Sequence, residues 1–183
     1  MTVRHGFIDE SVRSDGWYRL TMVEVSARDL GSVARALRSM LPDGRQRLHF
    51  SSEGDARRRQ ILTAMTRLPI SATTIGAPYR RGHDEEPARQ RCIAELVAVI
   101  NPAVVLLVLD SRGVHRDLND RRVLRELILR SGREVPTYSH RGSSDEPLLA
   151  LPDAIGWAVG AGGYFAKQVA RHVCEIFVSD QTG

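Results

Sequence analysis

Three aspartates lie where the sequence pattern places the end, or the beginning, of a core element. Asp9 follows the short apolar run 6–8, and Asp110 follows the longer apolar run 103–109. Asp153 stands in the first turn of the predicted last helix. If the strands that end in Asp9 and Asp110 are parallel neighbours, both carboxylates lie at one edge of the sheet, where open α/β sheets bind ligands.

Carboxylates brought together in this way repel one another unless a cation neutralises them. Hard oxygen ligands without a thiolate suit Mg²⁺ or Mn²⁺. Each aspartate alone also fits an ordinary role, as a turn residue or as an acid in the first turn of a helix. Together, Asp9, Asp110 and Asp153 predict a site for Mg²⁺ or Mn²⁺.

The elements that must position these side chains begin with strands and then alternate between helices and strands. The predicted strands are 6–9, 18–25 (joined to the first by a turn at 14–16), 47–50, 70–75, 103–109 and 134–138. The predicted helices are 30–41, one capped by residues 51–53 and running to 68, 87–100, 118–130, and one from 151 that glycines 160–163 break before 164–177. The run 103–109 is the clearest central strand. This order predicts an α/β fold with a mixed sheet.

Composition fits a single domain over residues 1–183. The chain is 42% hydrophobic, which is enough for one sizeable core, and its two cysteines have no metal-binding spacing. The net charge is +4, and all but one of the 26 basic residues are arginines. Arginine binds phosphate bidentately, but runs such as those at 57–59, 80–81 and 121–122 are also ordinary on helix surfaces. Aromatic residues make up only 5% of the chain, so no base-stacking platform is evident.

The sequence predicts neither a membrane span nor a signal peptide. The most apolar stretch, 93–109, is interrupted by Glu95 and by Asn101-Pro102. Carboxylates appear too early in the N-terminal segment for the apolar core of a signal peptide. We therefore expect a cytoplasmic protein, and the sequence leaves its oligomeric state open.

Four segments resemble motifs of a bacterial and phage family of domains of unknown function (DUF3800), which is assigned to the RNase H-like superfamily. They are FIDES at 7–11, LHF at 48–50, VLDSR at 108–112 and LLALPDAI at 148–155. The last segment is similar to the family's LLQLADLI, with Ala150 and Pro152 as departures. The resemblance extends over residues 7–164.

The resemblance implies an RNase H-like three-layer sandwich, with a mixed central sheet flanked by helices. In that superfamily, acids of the first strand, a later strand and the last helix hold two divalent metal ions that catalyse phosphodiester hydrolysis. By position, these acids correspond to Asp9, Asp110 and Asp153. Glu10 and Glu53 compete for a fourth place. Glu10 should point to the opposite face of its strand, so Glu53, at the start of a helix, is slightly favoured.

Two histidine positions complete the set of candidates. His140 is predicted in a polar loop, where it either transfers a proton to a leaving group or is simply exposed to solvent. The acids that follow His83 fit the N-terminus of a helix and are interpreted as structural.

The first hypothesis is a divalent-metal-dependent phosphodiesterase or nuclease that acts on nucleic acid by two-metal hydrolysis. The alternative is a catalytically inactive RNase H-like module that binds nucleic acid or a protein partner, with its acids separated or paired with arginines. A third possibility is a small-molecule hydrolase that uses the same metal site.

Overall fold

The six strands form one mixed sheet in the order β5-β4-β1-β2-β3-β6. The computed structural model describes residues 2–42, 45, 47–80, 83–131 and 136–179. The strands are β1 (Arg4–Val12), β2 (Trp17–Ser26), β3 (Ile70–Pro78), β4 (Val104–Asp110), β5 (Thr137–Arg141) and β6 (Val173–Phe177). The pairs β1–β4, β4–β5 and β3–β6 are parallel, and β1–β2 and β2–β3 are antiparallel.

Helices cover both faces of the sheet, which makes the fold a three-layer α/β/α sandwich. They are α1 (Leu30–Ser39), α2 (Asp55–Met65), α3 (Glu85–Val99), α4 (Val114–Ser131), α5 (Ala150–Ala161) and α6 (Gly163–Val169). One core cluster contains buried residues of α1, α2, α5 and α6. The second contains buried residues of α3 and α4. We call the two sides of the sheet the α5 face and the α3/α4 face.

The alternation of side chains along β1 and β4 assigns residues to these faces. Phe7 and Val108 belong to the core on the α5 face, whereas Ile8 and Leu109 belong to the core on the α3/α4 face. Ile8 and Leu109 form the last pair of the parallel β1–β4 ladder. Because successive side chains point to opposite faces, the next residue of each strand returns to the α5 face.

Helix α5 lies unusually close to the central hairpin because it presents glycine to the sheet. A Cβ at Gly156 would stand 2.8 Å from Thr21 Oγ1 and 3.4 Å from Ser11 Cβ. The helix ends at Ala161, and the next residue, Gly162, has a φ of 68° that favours glycine. The break that the sequence predicts at the glycine run is therefore confirmed.

Several other predictions of secondary structure are confirmed, but the segment around residue 50 is not a strand. Phe50–Ser52 forms a 3₁₀ turn instead. It is anchored by the Phe50 ring, which is fully buried and packs at 5.3 Å from Trp157. The following helix begins at Asp55 after Gly54, without a side-chain cap. The predicted cap at residues 51–53 is therefore wrong, and Glu53 precedes the helix.

The predictions for two further segments are correct only in part. The apolar run ending at Asp110 forms β4, which is second from the edge of the sheet, and Val105 in it is 45% exposed. The second part of the predicted C-terminal helix, 164–177, ends instead in strand β6, which pairs in parallel with β3. Local apolarity cannot distinguish these outcomes because strand order depends on partners distant in the sequence.

The predicted strand 134–138 lies three residues further along as β5, and its first two predicted residues fall outside the described part of the chain. The shift places His140 inside the strand instead of in a loop.

Candidate functional site

Two of the predicted site residues are neighbours across the β1–β4 ladder. Asp9 and Asp110 are the residues that follow the last ladder pair, so both belong to the α5 face. The placement of Asp9 is supported by its cross-strand partner Thr21, whose hydroxyl faces α5 at Gly156. Although β1 continues to Val12, its pairing with β4 stops before Asp9. The prediction that the strand itself ends at Asp9 is therefore wrong, but the parallel pair it required is present.

The third predicted aspartate comes from the helix that covers this face. Asp153 lies in the first turn of α5. Its Oδ2 accepts a hydrogen bond from the backbone N–H of Phe50 at 3.2 Å. The 3₁₀ turn after residue 49 thus orients a carboxylate that belongs to a different element.

Electrostatics couples the three carboxylates. Burial, and then repulsion by Glu10, Asp153 and Asp110, raises the pKa of Asp9 well above its ordinary value. Burial, followed by Glu10 and Asp153, raises the pKa of Asp110 to about 6. Burial also raises the pKa of Asp153. The fold therefore gathers negative charge at one place, at a cost in free energy.

No basic side chain among the described residues forms an ion pair with Asp9, Asp110 or Asp153. Of the groups that the structure describes, only the backbone N–H of Glu10 donates a hydrogen bond to Asp9 Oδ1, at 2.7 Å. Repulsion among buried carboxylates is relieved either by protons or by a cation. The three aspartates are thus the part of the molecule whose charge calls for an additional positive partner.

The donor chemistry of this cluster fits a hard divalent cation such as Mg²⁺ or Mn²⁺. Its groups are carboxylates, while Cys92 is buried in the core on the α3/α4 face and Cys174 is exposed on β6. Within the described ranges, however, no three His, Cys, Asp or Glu side chains stand close enough together, as placed, to hold an ion. The cluster fits in charge and donor type, and its side chains would have to converge further around a metal.

Glu10 lies beside this cluster but on the α3/α4 face, as the alternation predicts. It pairs across the hairpin with Leu20, a residue of the core on that face. Its Oε2 accepts a hydrogen bond from Arg89 Nη1 at 2.8 Å. Burial raises the pKa of Glu10, although Arg89 and Arg112 oppose the shift. Glu10 therefore contributes charge to the cluster while an arginine holds it.

The structure does not bring Glu53 or His140 to the three aspartates. Glu53 pairs with Arg45 at 2.6 Å, and the repulsion acting on the aspartates comes from other residues. The predicted exposed loop position of His140 is wrong, because its side chain is 2% exposed. Its Nε2 lies 3.1 Å from Asp120 Oδ2.

A buried network of charged residues that sequence analysis did not predict contacts Glu10 on the α3/α4 face. Arg89, which is 1% exposed, donates to both oxygens of Asp120 at 2.8 Å. It also donates to the Tyr18 hydroxyl at 3.1 Å. Arg112 reaches the same carboxylate at 3.2 Å. Burial alone would raise the pKa of Asp120, but hydrogen bonds from His140 and Arg89 lower it well below its ordinary value.

One signal in the sequence could have revealed this network. Arg89 shares a helical face with Cys92, Ile93 and Leu96, all buried in the core. A charged residue at a core-facing position must have a partner. The partner, Asp120, lies on α4 one turn before the buried Leu124.

A groove leads from the carboxylates along α5. It has a volume of about 410 Å³ and is lined by the hairpin segment 10–14, Ser51, Asp153 and Trp157. The guanidinium groups of Arg13 and Arg58 lie 4.4 Å and 4.3 Å from the centre of the Trp157 ring.

The arginine runs noted in the sequence lie in different environments. Arg57 and Arg58 donate to backbone carbonyls, those of Met40 and of Phe50 and Ser51 respectively. They therefore have a structural role. Arg121 and Arg122 are exposed on α4. Arg81 lies outside the described residues.

Several solved structures of ribonucleases have an architecture similar to that of this chain. RNase HII from Archaeoglobus fulgidus, solved in complex with PCNA, matches with a TM-score of 0.53 at 14% identity, over 93% of this chain and 76% of its own. Ribonuclease H2 from Pyrococcus horikoshii matches with a TM-score of 0.55 at 13% identity, over 93% and 75%. Bst-RNase HIII in complex with Mn²⁺ matches with a TM-score of 0.52 at 15% identity, over 93% of this chain but only 54% of its own.

These likenesses show that the chain has an RNase H-like fold, as the sequence predicts. At such low identity they show the fold alone. No family model matches the chain, and no curated protein matches it. Among the described helices, none is both long and apolar enough to cross a membrane.

Proposed function

We propose that this chain is a divalent-metal-dependent phosphodiesterase or nuclease that acts on nucleic acid, of the kind that its resemblance to the DUF3800 family implies. The observation that carries the proposal is the coupling of Asp9, Asp110 and Asp153. They come from β1, β4 and α5 at one edge of an RNase H-like sheet, and Asp153 raises the pKa of both Asp9 and Asp110.

In this proposal, the three aspartates bind Mg²⁺ or Mn²⁺, and Glu10 is the fourth acid. Bound ions of this kind activate water and stabilise the leaving oxygen in phosphodiester hydrolysis. Arg89 holds Glu10 through a 2.8 Å ion pair, which keeps its carboxylate at the rim of the cluster. The backbone N–H of Phe50 orients Asp153. We favour Glu10 over Glu53 because Glu53 pairs with Arg45 away from the cluster.

The pairing of the arginines supports an enzyme over an inactive module. An inactive module predicts aspartates that are separated or neutralised by arginines. Arg89 and Arg112 instead pair with Glu10, Glu86 and Asp120. Arg89 and Arg112 thus neutralise acids other than the three aspartates. A small-molecule hydrolase would use the same cluster, and a screen of phosphodiester substrates distinguishes it from a nuclease.

The proposal is tested by metal binding and by cleavage. We expect calorimetry to detect Mn²⁺ binding to the wild type, and we expect Asp9→Asn and Asp153→Asn to abolish it. The same variants should lose Mn²⁺-dependent cleavage of DNA, RNA or a hybrid of the two while keeping a wild-type circular dichroism spectrum. Asp84→Asn, which removes an acid at the start of α3, is the matched control. A wild type that binds no Mn²⁺, or variants that cleave at the full rate, would show that the proposal is wrong.

A further inference from the structure

One arginine of the groove stands out because it forms no ion pair with an acid among the described residues. Arg13 lies over the Trp157 ring, in the groove that also contains Asp153. Within the described part of the chain, no group accepts a hydrogen bond from its guanidinium. Its two arginine neighbours are paired, Arg19 with Asp15 at 2.6 Å and Arg58 with Asp55 at 2.8 Å.

The surroundings of Arg13 are unfavourable to a positive charge without a counter-ion. Burial lowers the pKa of Arg13, and the neighbouring Arg19 and Arg58 lower it further, against the opposing effect of Asp15. Two of the N–H-bearing nitrogens of Arg19, Nε and Nη1, are buried without a hydrogen-bond partner among the described residues. The hairpin end of the groove therefore carries the positive charge of Arg13, and the buried donors of Arg19 nearby add to the unfavourable surroundings of that charge.

The fold also holds Arg13 in place. Its side chain runs across Gly160 of α5, where a Cβ would stand only 2.9 Å from Arg13 Cδ. The guanidinium is thereby seated on the indole. The Trp157 ring in turn packs against Phe50 at 5.3 Å and Phe165 at 5.2 Å. Because protein groups occupy the ring, it serves to hold the arginine and does not offer a surface for a base.

We infer that Arg13, seated on Trp157, binds a backbone phosphate of a nucleic-acid strand lying in the groove. The inference rests on the proposed function, because it places the scissile phosphodiester at the aspartates. A guanidinium binds phosphate through two parallel hydrogen bonds. Asp153 and Trp157 are four residues apart on α5, about 6 Å along the helix axis. The two positions therefore suit neighbouring phosphates of one strand, and the contact is independent of base sequence.

The test measures binding without metal, so that it does not depend on catalysis. A short, labelled single-stranded DNA is titrated by fluorescence anisotropy in EDTA at several salt concentrations. Each phosphate contact contributes about 0.7 to the slope of log K against log salt for a single strand. We expect Arg13→Gln to weaken binding several-fold and to lower the slope by about 0.7. Arg122→Gln, which removes an exposed arginine on the opposite face, should leave the slope unchanged.

A second variant separates position from charge. Gly160→Ala keeps every charge but displaces the Arg13 side chain, so we expect it to weaken binding as well. Binding near Trp157 can be followed by its own fluorescence in a Trp17→Phe background, since the chain has only two tryptophans. Oligonucleotide should change this signal at concentrations where inorganic phosphate does not.

The inference is overturned if Arg13→Gln and Gly160→Ala bind the strand as the wild type does, even if the metal-loaded protein cleaves nucleic acid. It is also overturned if inorganic phosphate competes on equal terms, because the ligand would then be free phosphate. Binding that depends on Arg13, in a protein that cleaves nothing with Mn²⁺, supports the phosphate contact and contradicts only the proposed function.

Discussion

Asp9 and Asp110 stand next to each other across two parallel strands, one step beyond the pair at which the β1–β4 ladder ends. Their side chains share the face that α5 covers, and α5 adds Asp153. Burial raises the pKa of all three carboxyls, and repulsion by neighbouring carboxylates raises the pKa of Asp9 and Asp110 further. The folded chain is consequently destabilised at neutral pH unless a cation balances this charge.

The first prediction concerns stability against pH without metal. The pKa of Asp110 is raised from 3.8 to about 6, so the folded state binds this proton more tightly than the unfolded state. The stability that Asp110 contributes is fully present below about pH 4 and is lost as the pH rises through about 6. Asp110→Asn removes this loss. At about pH 7.5 we expect the variant to exceed the wild type by about 1–2 kcal/mol, after allowance for solvent screening of a half-buried group.

Urea denaturation in EDTA measures this difference, and near pH 4 the two proteins should be equally stable. A variant that is less stable than the wild type at neutral pH would show that Asp110 is not under electrostatic strain.

The second prediction concerns the response to metal. A ligand that binds only the folded state stabilises it by about 2.7 kcal/mol at a concentration one hundred times its dissociation constant. We expect saturating Mn²⁺ to raise the melting temperature of the wild type, but not that of Asp9→Asn. Removing the Mn²⁺ with EDTA should restore the starting melting temperature. An equal rise in both proteins would place the ion elsewhere on the molecule.

The third prediction concerns the buried network behind Glu10. Arg89→Met leaves Asp120 and Glu10 without their shared guanidinium in a site where Arg89 is 1% exposed. Removing one partner of a buried ion pair costs about 3–5 kcal/mol. Arg116→Met is the matched control, because Arg116 is 52% exposed and forms a surface pair with Glu85 that contributes at most about 1 kcal/mol. Similar losses in the two variants, measured in urea, would contradict a structural role for the network.

The fourth prediction concerns the close contact between α5 and the hairpin. At Gly156 an added methyl group meets Thr21 Oγ1 at 2.8 Å, and this hydroxyl is fixed by its hydrogen bond to Thr74 at 3.0 Å. We expect Gly156→Ala to destabilise the fold by about 1–3 kcal/mol.

Gly160→Ala provides the comparison within the same helix. There the methyl group meets the side chain of Arg13, which can move, while alanine favours the helix by up to about 1 kcal/mol. We therefore expect this variant to be as stable as the wild type or more so. Thermal unfolding of both variants checks the contrast, which disappears if α5 can shift away from the sheet.

Much of the architecture was accessible from the sequence because it follows from local patterns. The hairpin from β1 to β2 could be predicted from alternation around the turn at 14–16, and the broken helix from the glycines before residue 164. The α/β class follows from the order of the elements. The metal roles of Asp9, Asp110 and Asp153 remain predictions.

The errors have a common origin. The stretch 47–50 was predicted as a strand, yet Phe50 begins a 3₁₀ turn, and its ring packs against Trp157, more than one hundred residues away. His140 was predicted in a loop, yet it is buried against Asp120 on α4. In both cases a distant partner outweighs local preference.

The sequence alone determined which residues form most of the helices and strands, and which acids lie near their ends, because hydrophobic periodicity and turn residues act over a few positions. Only the tertiary structure decided that Asp9 and Asp110 lie on the α5 face with Asp153, while Glu10 turns to Arg89 on the other. The tertiary structure also decided that the Arg13 guanidinium lies over the Trp157 ring. These relationships depend on strand order, register and the close approach of α5, which are determined by packing between segments distant in the chain.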